Sequence, residues 1–413
     1  MKFVMAKKIT SITACRACSS ENIVNILNLS NLYLSNFVRD NKKPPKFPLK
    51  LVLCRNCFLL QLKHNAPQTL LYSENYGYRS GINQTMRNEL SEIAAKTMKM
   101  LGISAKNATV VDIGANDGTL LSNYPKSFFR VAVDPVEKFK KESKAHANVV
   151  ATDFFNYKTV SKALGNKKAD IVTAISCFYD MEEPNTFVDD VKRILNEKGI
   201  FVIQQNYLVK MLTQNAFDNI VHEHLEYYSL ISLQNLLARH GLEVFDLELR
   251  ELNGGSFRTY IGFKGAHPIS VSVYEQTELE KLISLHRKKI YTDFAKRIKN
   301  LKKEVYEFIK KEHDKGKKIY VYGASTRGNT LLQYFNLDNK LIDKAAERNP
   351  EKYGTKIASV GIPIVSEDEA RRDKPDYMLV LPWFFKTEFL EREKAYLKSG
   401  GHFIFPLPKL EII

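Results

Sequence analysis

A short glycine-containing segment is the first place in this chain where residue types and spacing could support chemistry. Asp112, Gly114 and Gly118 form a D-x-G-x-x-x-G array directly after the apolar run 108–113. Glycines at a strand end let the backbone turn sharply and come close to a ligand. A second apolar run ends in Asp134, whose carboxylate could accept hydrogen bonds from both hydroxyls of a ribose. The segment therefore predicts a strand–turn–helix unit that holds a nucleoside cofactor.

The glycine spacing indicates which cofactor this is. It is not the G-x-G-x-x-G of dinucleotide enzymes, and no Walker lysine follows it. The spacing is typical of enzymes that use S-adenosylmethionine (SAM), with a helix expected from about Thr119. An ordinary strand–turn–helix is the alternative, and the position of Asp134 argues against it. We predict the following cofactor-binding residues: Asp112, Gly114, Asn116, Gly118, Asp134 and Asp153.

Four of the five cysteines lie in two C-x-x-C pairs, Cys15/Cys18 and Cys54/Cys57. Such pairs in an intracellular chain are more typical of a tetrahedral thiolate zinc site than of disulfides. Because the protein would supply all four ligands, no position stays open for catalysis, and we predict a structural zinc. Cys177 stands alone in an apolar run and is interpreted as a small core residue.

A His-Glu-His segment, residues 222–224, follows the fifth predicted strand of the central region. Strand ends of an open α/β sheet face the ligand crevice, so these side chains could reach a bound cofactor. In an extended segment His222 and His224 would share one face and Glu223 the other. The H-E-x-x-H zinc-protease pattern is absent, because Glu226 stands where its second histidine would be. Two structural histidines are the alternative to a functional role.

Apolar runs alternate with helical patterns from residue 108 to 264, which predicts a doubly wound parallel sheet. An amphipathic helix is expected over about 83–101. The same strand–glycine–helix pattern returns at 317–328, which indicates a second, smaller α/β unit. Strands are predicted at 108–113, 129–133, 147–150, 169–176, 199–205, 242–250, 257–263, 362–365, 377–381 and 402–405.

These patterns divide the chain into four predicted parts. They are a zinc-binding module at 11–75, a SAM-binding region at 76–270, a connecting helix at 271–316 and a C-terminal Rossmann-like region at 317–413. The last region lacks an acidic residue before its first glycine. It therefore fits a phosphate or nucleotide better than a second SAM.

Composition sets further bounds on the function. With 44% of its residues apolar and 11% aromatic, the chain can build packed cores, so wholesale disorder is excluded. No apolar stretch has the length of a membrane helix and no signal peptide is apparent, so we expect a cytoplasmic protein without a membrane partner. The net charge of +16 suggests an anionic partner. A basic stripe with interleaved aromatic residues is absent, so nucleic acid is not expected.

The whole chain resembles the sugar C-methyltransferases, which methylate nucleotide-linked deoxyhexoses. The resemblance covers all predicted parts and is carried by several motifs in one order. These are the four cysteines, Tyr76-x-Tyr78-x-Ser80, Asp112-x-Gly114, His222-Glu223-His224, Asn253-Gly254-Gly255-Ser256, Tyr322-Gly323-Ala324, Glu347-Arg348-Asn349-Pro350, Lys352, Gly354 and Leu381-Pro382-Trp383.

This resemblance implies a class I SAM methyltransferase fold and a division of labour among the parts. The central region would bind SAM, and the C-terminal region would help to hold a nucleotide-diphosphate sugar. By motif position His224 would be the base, with Glu223 beside it and Tyr76 nearby. We expect a monomer or a homodimer. The predicted substrate-binding residues are Tyr78, His222, Tyr228, Asn253, Arg258, Tyr322, Gly323, Ser325, Arg327, Arg348 and Asn349.

The chain departs from the family pattern near the acceptor sugar. Family members commonly carry Asn and His where this chain has Ser176 and Asp180, and Tyr where it has Val221. Methylation of a sugar oxygen is therefore an alternative to methylation of carbon. RNA methylation is a third possibility, although no base-methylating Asn-Pro-Pro-aromatic motif is present. A zinc-bearing binding protein with a vestigial cofactor fold is the alternative that is not an enzyme.

Overall fold

A computed structural model describes residues 9–40, 42–71, 78–102 and 106–413 of the chain. Tyr76, predicted to lie near the base, falls outside the described residues. Among the helices that are described, none combines the length and the apolar character that crossing a membrane requires.

The N-terminal part is built from antiparallel strands whose ends carry the cysteine pairs. β2, β4 and β5 form its main sheet, and β1 pairs with β6. Leu49, Leu51 and Leu53 are buried on β4, and Cys54 ends this strand. The strands are β1 (Thr10–Ser11), β2 (Ile23–Tyr33), β3 (Phe37–Val38), β4 (Lys46–Cys54), β5 (Leu60–Leu62) and β6 (His64–Asn65).

The central sheet is Rossmann-like, with the strand order β13-β14-β11-β10-β7-β8-β9. Its strands from β7 to β11 are parallel, as their continuous burial and β-branched residues predict. Its strands are β7 (Thr109–Ile113), β8 (Phe129–Val133), β9 (Val149–Ala151), β10 (Ala169–Ile175), β11 (Leu195–Asn206), β13 (Leu242–Arg250) and β14 (Ser256–Phe263), while β12 (Glu226–Tyr227) lies in this part of the chain but pairs outside the sheet. The helices before and between them are α1 (Gln68–Leu71), α2 (Gln84–Leu101), α3 (Lys140–Ser143), α4 (Tyr157–Leu164), α5 (Pro184–Ile194), α6 (Leu208–Thr213) and α7 (Leu230–Ala238).

Two sequence predictions for this sheet are wrong. The sheet is not wholly parallel, because β13 and β14 form a hairpin that pairs antiparallel with β11. The helix expected from about Thr119 is only a 3₁₀ turn at Leu121–Asn123. Pro125 follows this turn closely, and a proline cannot donate the hydrogen bond that a continuing helix would need.

The predicted connecting helix over 271–316 is two helices, α8 (Val271–Ile283) and α9 (Lys288–Asp314). Ser284 interrupts them with a left-handed backbone, at a φ of 61°. The long α9 buries one stripe at helical spacing, which includes Phe294, Ile298 and Leu301. No glycine or proline marks this break in the sequence, so the helical periodicity alone predicted one continuous helix.

The C-terminal sheet has the strand order β21-β20-β19-β15-β16-β18-β17-β3. Its strands are β15 (Ile319–Tyr322), β16 (Lys344–Glu347), β17 (Lys356–Ile357), β18 (Ile362–Ser366), β19 (Tyr377–Val380), β20 (His402–Phe405) and β21 (Glu411–Ile412). Its helices are α10 (Thr326–Phe335), α11 (Glu367–Asp373), α12 (Lys386–Arg392) and α13 (Lys394–Lys398).

Strand pairing joins the predicted parts to one another. β3 from the N-terminal part pairs with β17 of the C-terminal sheet, with Phe37 opposite Ile357. β12, which follows the His-Glu-His segment, pairs with β5, with Tyr227 opposite Leu60. The His-Glu-His segment is therefore attached to the N-terminal sheet, and the four-part division of the chain stays a prediction.

Candidate functional site

A pocket opens at the carboxyl ends of β7, β8 and β10, where a Rossmann-like sheet binds its ligand. Its walls come from the glycine turn, the end of β8, the segment after β10 and the start of α2. The lining residues are Gln68, Tyr78, Ser80, Met86, Leu90, Asp112, Ile113, Gly114, Ala115, Asn116, Leu120, Val133, Asp134, Pro135, Val136, Phe154, Phe155, Ile175, Ser176, Cys177, Asp180 and Met181.

Gly114 makes the sharp turn at the pocket floor. Its φ is +72°, and its N–H donates to the Val133 carbonyl at 2.8 Å. A Cβ on Gly114 would lie 3.0 Å from the Cys177 Sγ and 3.2 Å from its Cβ. Both backbone conformation and space therefore require glycine here.

Asp134 stands at the end of β8 with its carboxylate tied to the loop. One oxygen accepts from the Asn116 N–H and the other from the Val136 N–H, each at 2.8 Å. Burial raises the pKa of Asp134. The Asn116 side chain bonds Tyr78 and Ser80, so this residue joins the turn to the segment before α2.

Asp112 is a buried carboxylate at the end of β7. Its Oδ1 accepts from the Thr173 hydroxyl at 2.6 Å. Burial raises the pKa of Asp112 to about 7, and the charges acting on it are the carboxylates of Asp134 and Asp117. A pocket with these buried carboxylates fits a cationic ligand with a ribose, and SAM carries both.

Two predicted cofactor residues lie away from the pocket. Gly118 has a φ of +81° and packs against the backbone of Ser143, so it serves close packing. The Asp153 side chain is exposed and accepts from the Phe154 N–H and the Thr159 hydroxyl. Asp153 therefore does not line the pocket, although its neighbour Phe154 does, and its contact with the cofactor stays a prediction.

The wall opposite Asp134 is formed by the segment after β10. Ser176 has a left-handed backbone, with a φ of 57°. Cys177 donates from Sγ to the Ile113 carbonyl at 3.2 Å and lines the pocket. The interpretation of Cys177 as a core residue of a strand is wrong, because β10 ends at Ile175. The strand end, rather than the cysteine itself, is the signal that could have placed it here.

His224 lies behind this wall. Its ring packs against that of Tyr179 at an angle of 59°, with the centroids 4.3 Å apart, and its Nδ1 lies 2.9 Å from the Asn219 carbonyl oxygen. Burial, and to a smaller extent the charge of Arg327, lower the pKa of His224 to about 3. The imidazole is therefore neutral near pH 7.

The other two residues of the motif point elsewhere. The segment is a bend and not an extended strand, so His222 and His224 do not share a face as predicted. The Nε2 of His222 lies 3.0 Å from the Phe47 carbonyl oxygen, a hydrogen bond that ties His222 to β4, and its substrate contact stays a prediction. Burial raises the pKa of Glu223 to about 7.

Three further predicted substrate residues, Arg258, Tyr228 and Tyr322, are buried and make hydrogen bonds within the protein. Arg258 is 1% exposed and donates to Gln204, Glu248 and Glu89. The Tyr228 hydroxyl is buried and donates to the Glu226 carboxylate at 2.9 Å. These bonds engage the side-chain donors of Arg258 and Tyr228 within the protein, and their contacts with a substrate stay predictions.

Tyr322 is the third of these residues. It is buried on β15, donates to Glu393 at 2.8 Å and accepts from Arg392. Its ring packs against Phe389 and Phe403. This aromatic side chain packs in the C-terminal core, and its contact with a substrate stays a prediction.

The remaining predicted residues divide between the pocket mouth and the C-terminal sheet. Tyr78 lines the cofactor pocket and is half-exposed, so it stays a candidate for substrate contact. Ser325 caps α10 by accepting from the Gly328 N–H at 3.0 Å. Arg348 is exposed. Asn349 is buried, and its side chain accepts from the Glu351 N–H.

Arg327 bridges the C-terminal and central sheets. It donates twice to Asp218 and once, at 2.6 Å, to the carbonyl oxygen of Asn253. Asn253 has a left-handed backbone, with a φ of 55°. Two predicted substrate residues, Arg327 and Asn253, are therefore in contact, and the contact is a hydrogen bond between them.

The four paired cysteines converge in the N-terminal part. Their Sγ atoms all lie within 4.8 Å of one another, and the Cys15–Cys57 and Cys18–Cys54 pairs are 3.5 Å and 3.4 Å apart. In a tetrahedral zinc site, with Zn–S bonds of about 2.3 Å, the sulfurs are about 3.8 Å apart. Gln61 also donates to the Cys15 Sγ at 3.2 Å, as an outer hydrogen bond to a metal thiolate would. The residues fit zinc.

Comparisons with known proteins follow the same order along the chain. Residues 15–72 match the family model described as "Putative zinc binding domain", and residues 84–247 match "Methyltransferase domain". Residues 251–408 match "C-methyltransferase C-terminal domain". The chain is 28% identical over 370 residues to the C-methyltransferase NovU of Streptomyces niveus, a match that covers 89% of this chain and 88% of NovU.

Solved structures are similar to part of the chain. A SAM-dependent methyltransferase from Clostridium acetobutylicum ATCC 824 is 13% identical with a TM-score of 0.35, covering 43% of this chain and 92% of that chain. The plantazolicin methyltransferase BpumL, solved in complex with SAH, is 12% identical with a TM-score of 0.34, covering 43% and 83%.

Proposed function

We propose that this SAM-dependent methyltransferase, which has a structural zinc site, is a C-methyltransferase that methylates a carbon of a nucleotide-diphosphate-linked 4-keto deoxysugar by base-assisted enolate formation. The observation that carries this proposal is the hydrogen bond between His224 and Asn219, beside the wall of the cofactor pocket.

This hydrogen bond decides which nitrogen of His224 is basic. The Asn219 carbonyl oxygen can only accept, so Nδ1 must carry the proton and Nε2 keeps its lone pair. The ring is neutral near pH 7 because burial lowers its pKa. A neutral imidazole with a fixed tautomer is ready to take a proton at Nε2.

The proposed acceptor suits such a base. A C–H bond beside the 4-keto group is acidified, so Nε2 of His224 takes its proton and the bonding electron pair enters an enolate. The cofactor, when bound, would supply an activated methyl group: the enolate carbon would form its new bond to this methyl as the methyl–sulfur bond breaks, and the electron pair of the broken bond would leave on the sulfur. The proton on His224 then passes to solvent. Positioning of the base and stabilisation of the enolate therefore carry most of the catalysis.

Two further residues have proposed supporting roles. Burial keeps part of the Glu223 population protonated near pH 7, so this residue can orient or polarise the substrate. Tyr76 is proposed on the family resemblance alone.

The test is incubation with SAM labelled in its methyl group and a panel of dTDP-, GDP- and CDP-linked 4-keto sugars. We expect label in one of these sugars, with NMR placing the new methyl on carbon. A methyl on oxygen would overturn the proposal in favour of sugar O-methylation. Exchange of the sugar α-proton in deuterated water by the wild type would further favour carbon.

His224→Asn tests the base itself. We expect loss of most turnover and of α-proton exchange, with SAM and sugar affinities retained, because proton removal matters in the transition state. Glu223→Gln should cost less turnover. His402→Asn, at an exposed histidine on β20, is the matched control and should leave turnover unchanged. Full turnover in His224→Asn would remove His224 from this role.

A further inference from the structure

A buried carboxylate collects hydrogen bonds from two side chains of the C-terminal part. Asp218 is 0% exposed and lies in the 3₁₀ turn Phe217–Asn219. Its Oδ2 accepts from Nε and Nη2 of Arg327, at 3.0 Å and 2.7 Å, and from Nε1 of Trp383 at 3.2 Å. We call Asp218, Arg327 and Trp383 the clasp.

Arg327 is fully engaged by the protein. Its Nη1 donates to the Asn253 carbonyl, and its guanidinium lies over the Phe384 ring at 4.7 Å. Its side chain is 13% exposed. The Trp383 ring packs closely on the backbone at Gly254, where a Cβ would approach its Cζ2 to 2.9 Å. These hydrogen bonds join the C-terminal sheet to the central part. Because Nε, Nη1 and Nη2 of Arg327 each already donate to the protein, the guanidinium has little capacity left for a substrate.

The clasp is one residue away from the atom that orients His224. Asn219 follows Asp218 directly, and its carbonyl oxygen accepts from Nδ1 of His224. The Asn219 side chain is fixed as well, because its Oδ1 accepts from Nδ2 of Asn206 at 2.7 Å. Side-chain hydrogen bonds therefore hold two adjacent residues of this turn, Asp218 and Asn219, and the position of the Asn219 carbonyl oxygen depends on these bonds.

We propose that the clasp is a positioning device, through which Arg327 and Trp383 of the C-terminal part hold the Asn219 carbonyl against His224 and so fix the tautomer of the base. The role of His224 as base rests on the proposed function; the tautomer does not. Loosening the turn by about 1 Å would weaken the Nδ1 hydrogen bond and let the proton shift to Nε2, which cannot then act as base.

Kinetics of three variants test this proposal. Arg327→Gln removes the charge, Arg327→Lys keeps the charge without the fork, and Trp383→Phe removes one donor while keeping an aromatic ring. We expect kcat to fall by about 10- to 100-fold in Arg327→Gln, less in the other two, with KM for the sugar nearly unchanged. Arg372→Gln, at an exposed arginine on α11, is the control and should change neither constant.

Nitrogen NMR of the His224 ring gives a readout that does not need turnover. The wild type should show a proton on Nδ1 and a free Nε2, and Arg327→Gln should show a mixture of tautomers. Should Arg327→Gln not fold, Trp383→Phe and Arg327→Lys carry the test.

Two results would overturn the proposal. A rise in KM for the sugar with unchanged kcat would make Arg327 a substrate contact, and unchanged kcat together with an unchanged tautomer would leave the clasp without a role at the base. If the wild type methylates no 4-keto sugar, the proposed function fails, and the NMR measurement still decides whether the clasp fixes the tautomer.

Discussion

Two glycine turns in this molecule share one backbone scheme. Gly114 follows β7 and Gly323 follows β15, and both have a positive φ, at 72° and 84°. Each glycine N–H donates to the carbonyl of the residue before an acidic strand end, which is Asp134 in the first turn and Glu347 in the second. Each acidic side chain accepts a backbone N–H from its own turn. The turn itself therefore does not distinguish the two regions.

What fills the turns is different. In the second turn, Lys352 donates to the Ala324 carbonyl at 2.7 Å and lies 3.4 Å from the Glu347 carboxylate. The ring of Phe37 covers the Lys352 ammonium at 4.4 Å, and a Cβ on Gly323 would lie 2.7 Å from Pro382. The chain supplies its own cation here, whereas the first turn opens into a pocket lined by carboxylates. We infer that a Rossmann-like turn can serve as a cofactor site when no cation of the protein itself lies beside its acidic residue.

The largest effect is expected for Gly114→Val. SAM affinity should fall by more than about 100-fold, because the side chain would collide with Cys177 and strain the backbone. Calorimetry measures this loss. Gly102→Val is the matched control: its φ is +74°, but no described heavy atom outside its neighbours lies within 4 Å, so only backbone strain is added. Undiminished SAM binding by Gly114→Val would show that the Gly114 turn is not the cofactor site, and the contrast with the Gly323 turn would fail.

The next largest effect is expected from the acidic residues of the two turns, Asp134 and Glu347. Asp134→Ala should weaken SAM binding by about 1–3 kcal/mol, because buried polar partners lose their acceptor. Glu347→Ala should leave SAM affinity unchanged and lower the free energy of unfolding instead, since Glu347 accepts only from its own chain. Titration calorimetry and urea unfolding of both variants separate the two effects. Equal losses of SAM affinity would mean that both turns serve the cofactor.

A pH dependence should mark the first turn alone. The pKa of Asp112 is raised to about 7 in the free protein, and a bound cation favours the charged carboxylate, so SAM binding releases a proton. SAM affinity should therefore rise with pH, by about tenfold from pH 6 to pH 8. Asp112→Asn should flatten this rise. The corresponding position of the second turn is the apolar Val321, which cannot titrate. A rise that persists in Asp112→Asn would assign the proton to another group.

The smallest effect is expected for Lys352→Met. Removing the internal cation should lower the free energy of unfolding by about 1–2 kcal/mol, since Glu347 keeps its backbone donors but loses its charge partner. The SAM stoichiometry should stay at one per chain. Lys340→Met, at an exposed lysine of the same part, should change stability by less than about 0.5 kcal/mol. A second bound SAM in Lys352→Met would show that the lysine alone closes the second turn.

The first turn could be located from sequence because its signals are local. Asp112, Gly114 and Asp134 lie within one strand–turn–strand unit, and the backbone conformation at Gly114 accepts little else. The strands 129–133, 242–250 and 402–405 have the predicted bounds, since apolar runs between turn residues specify them. The cysteine pairs were equally readable, because the spacing within each pair already implies a shared ion.

Two predicted substrate residues have hydrogen-bond partners that the sequence could not show. Arg258 follows a motif that resembles a substrate loop, but its partner Glu89 stands 169 residues earlier in the chain. His222 likewise meets Phe47 at a separation of 175 residues. Sequence shows that such a side chain carries donors, and only the folded chain shows which acceptors have already taken them.

The strands β3 and β12 have a consequence for how the molecule holds together. Each is a short segment whose hydrogen-bonding partner belongs to a different part of the chain, β17 in one case and β5 in the other. Backbone bonds of this kind cannot be released by swinging one part on a linker, as a flexible multidomain enzyme would do; the ladder itself must break. The chain should therefore melt in one cooperative transition, and its fragments should stay associated after a protease has nicked the loops between them.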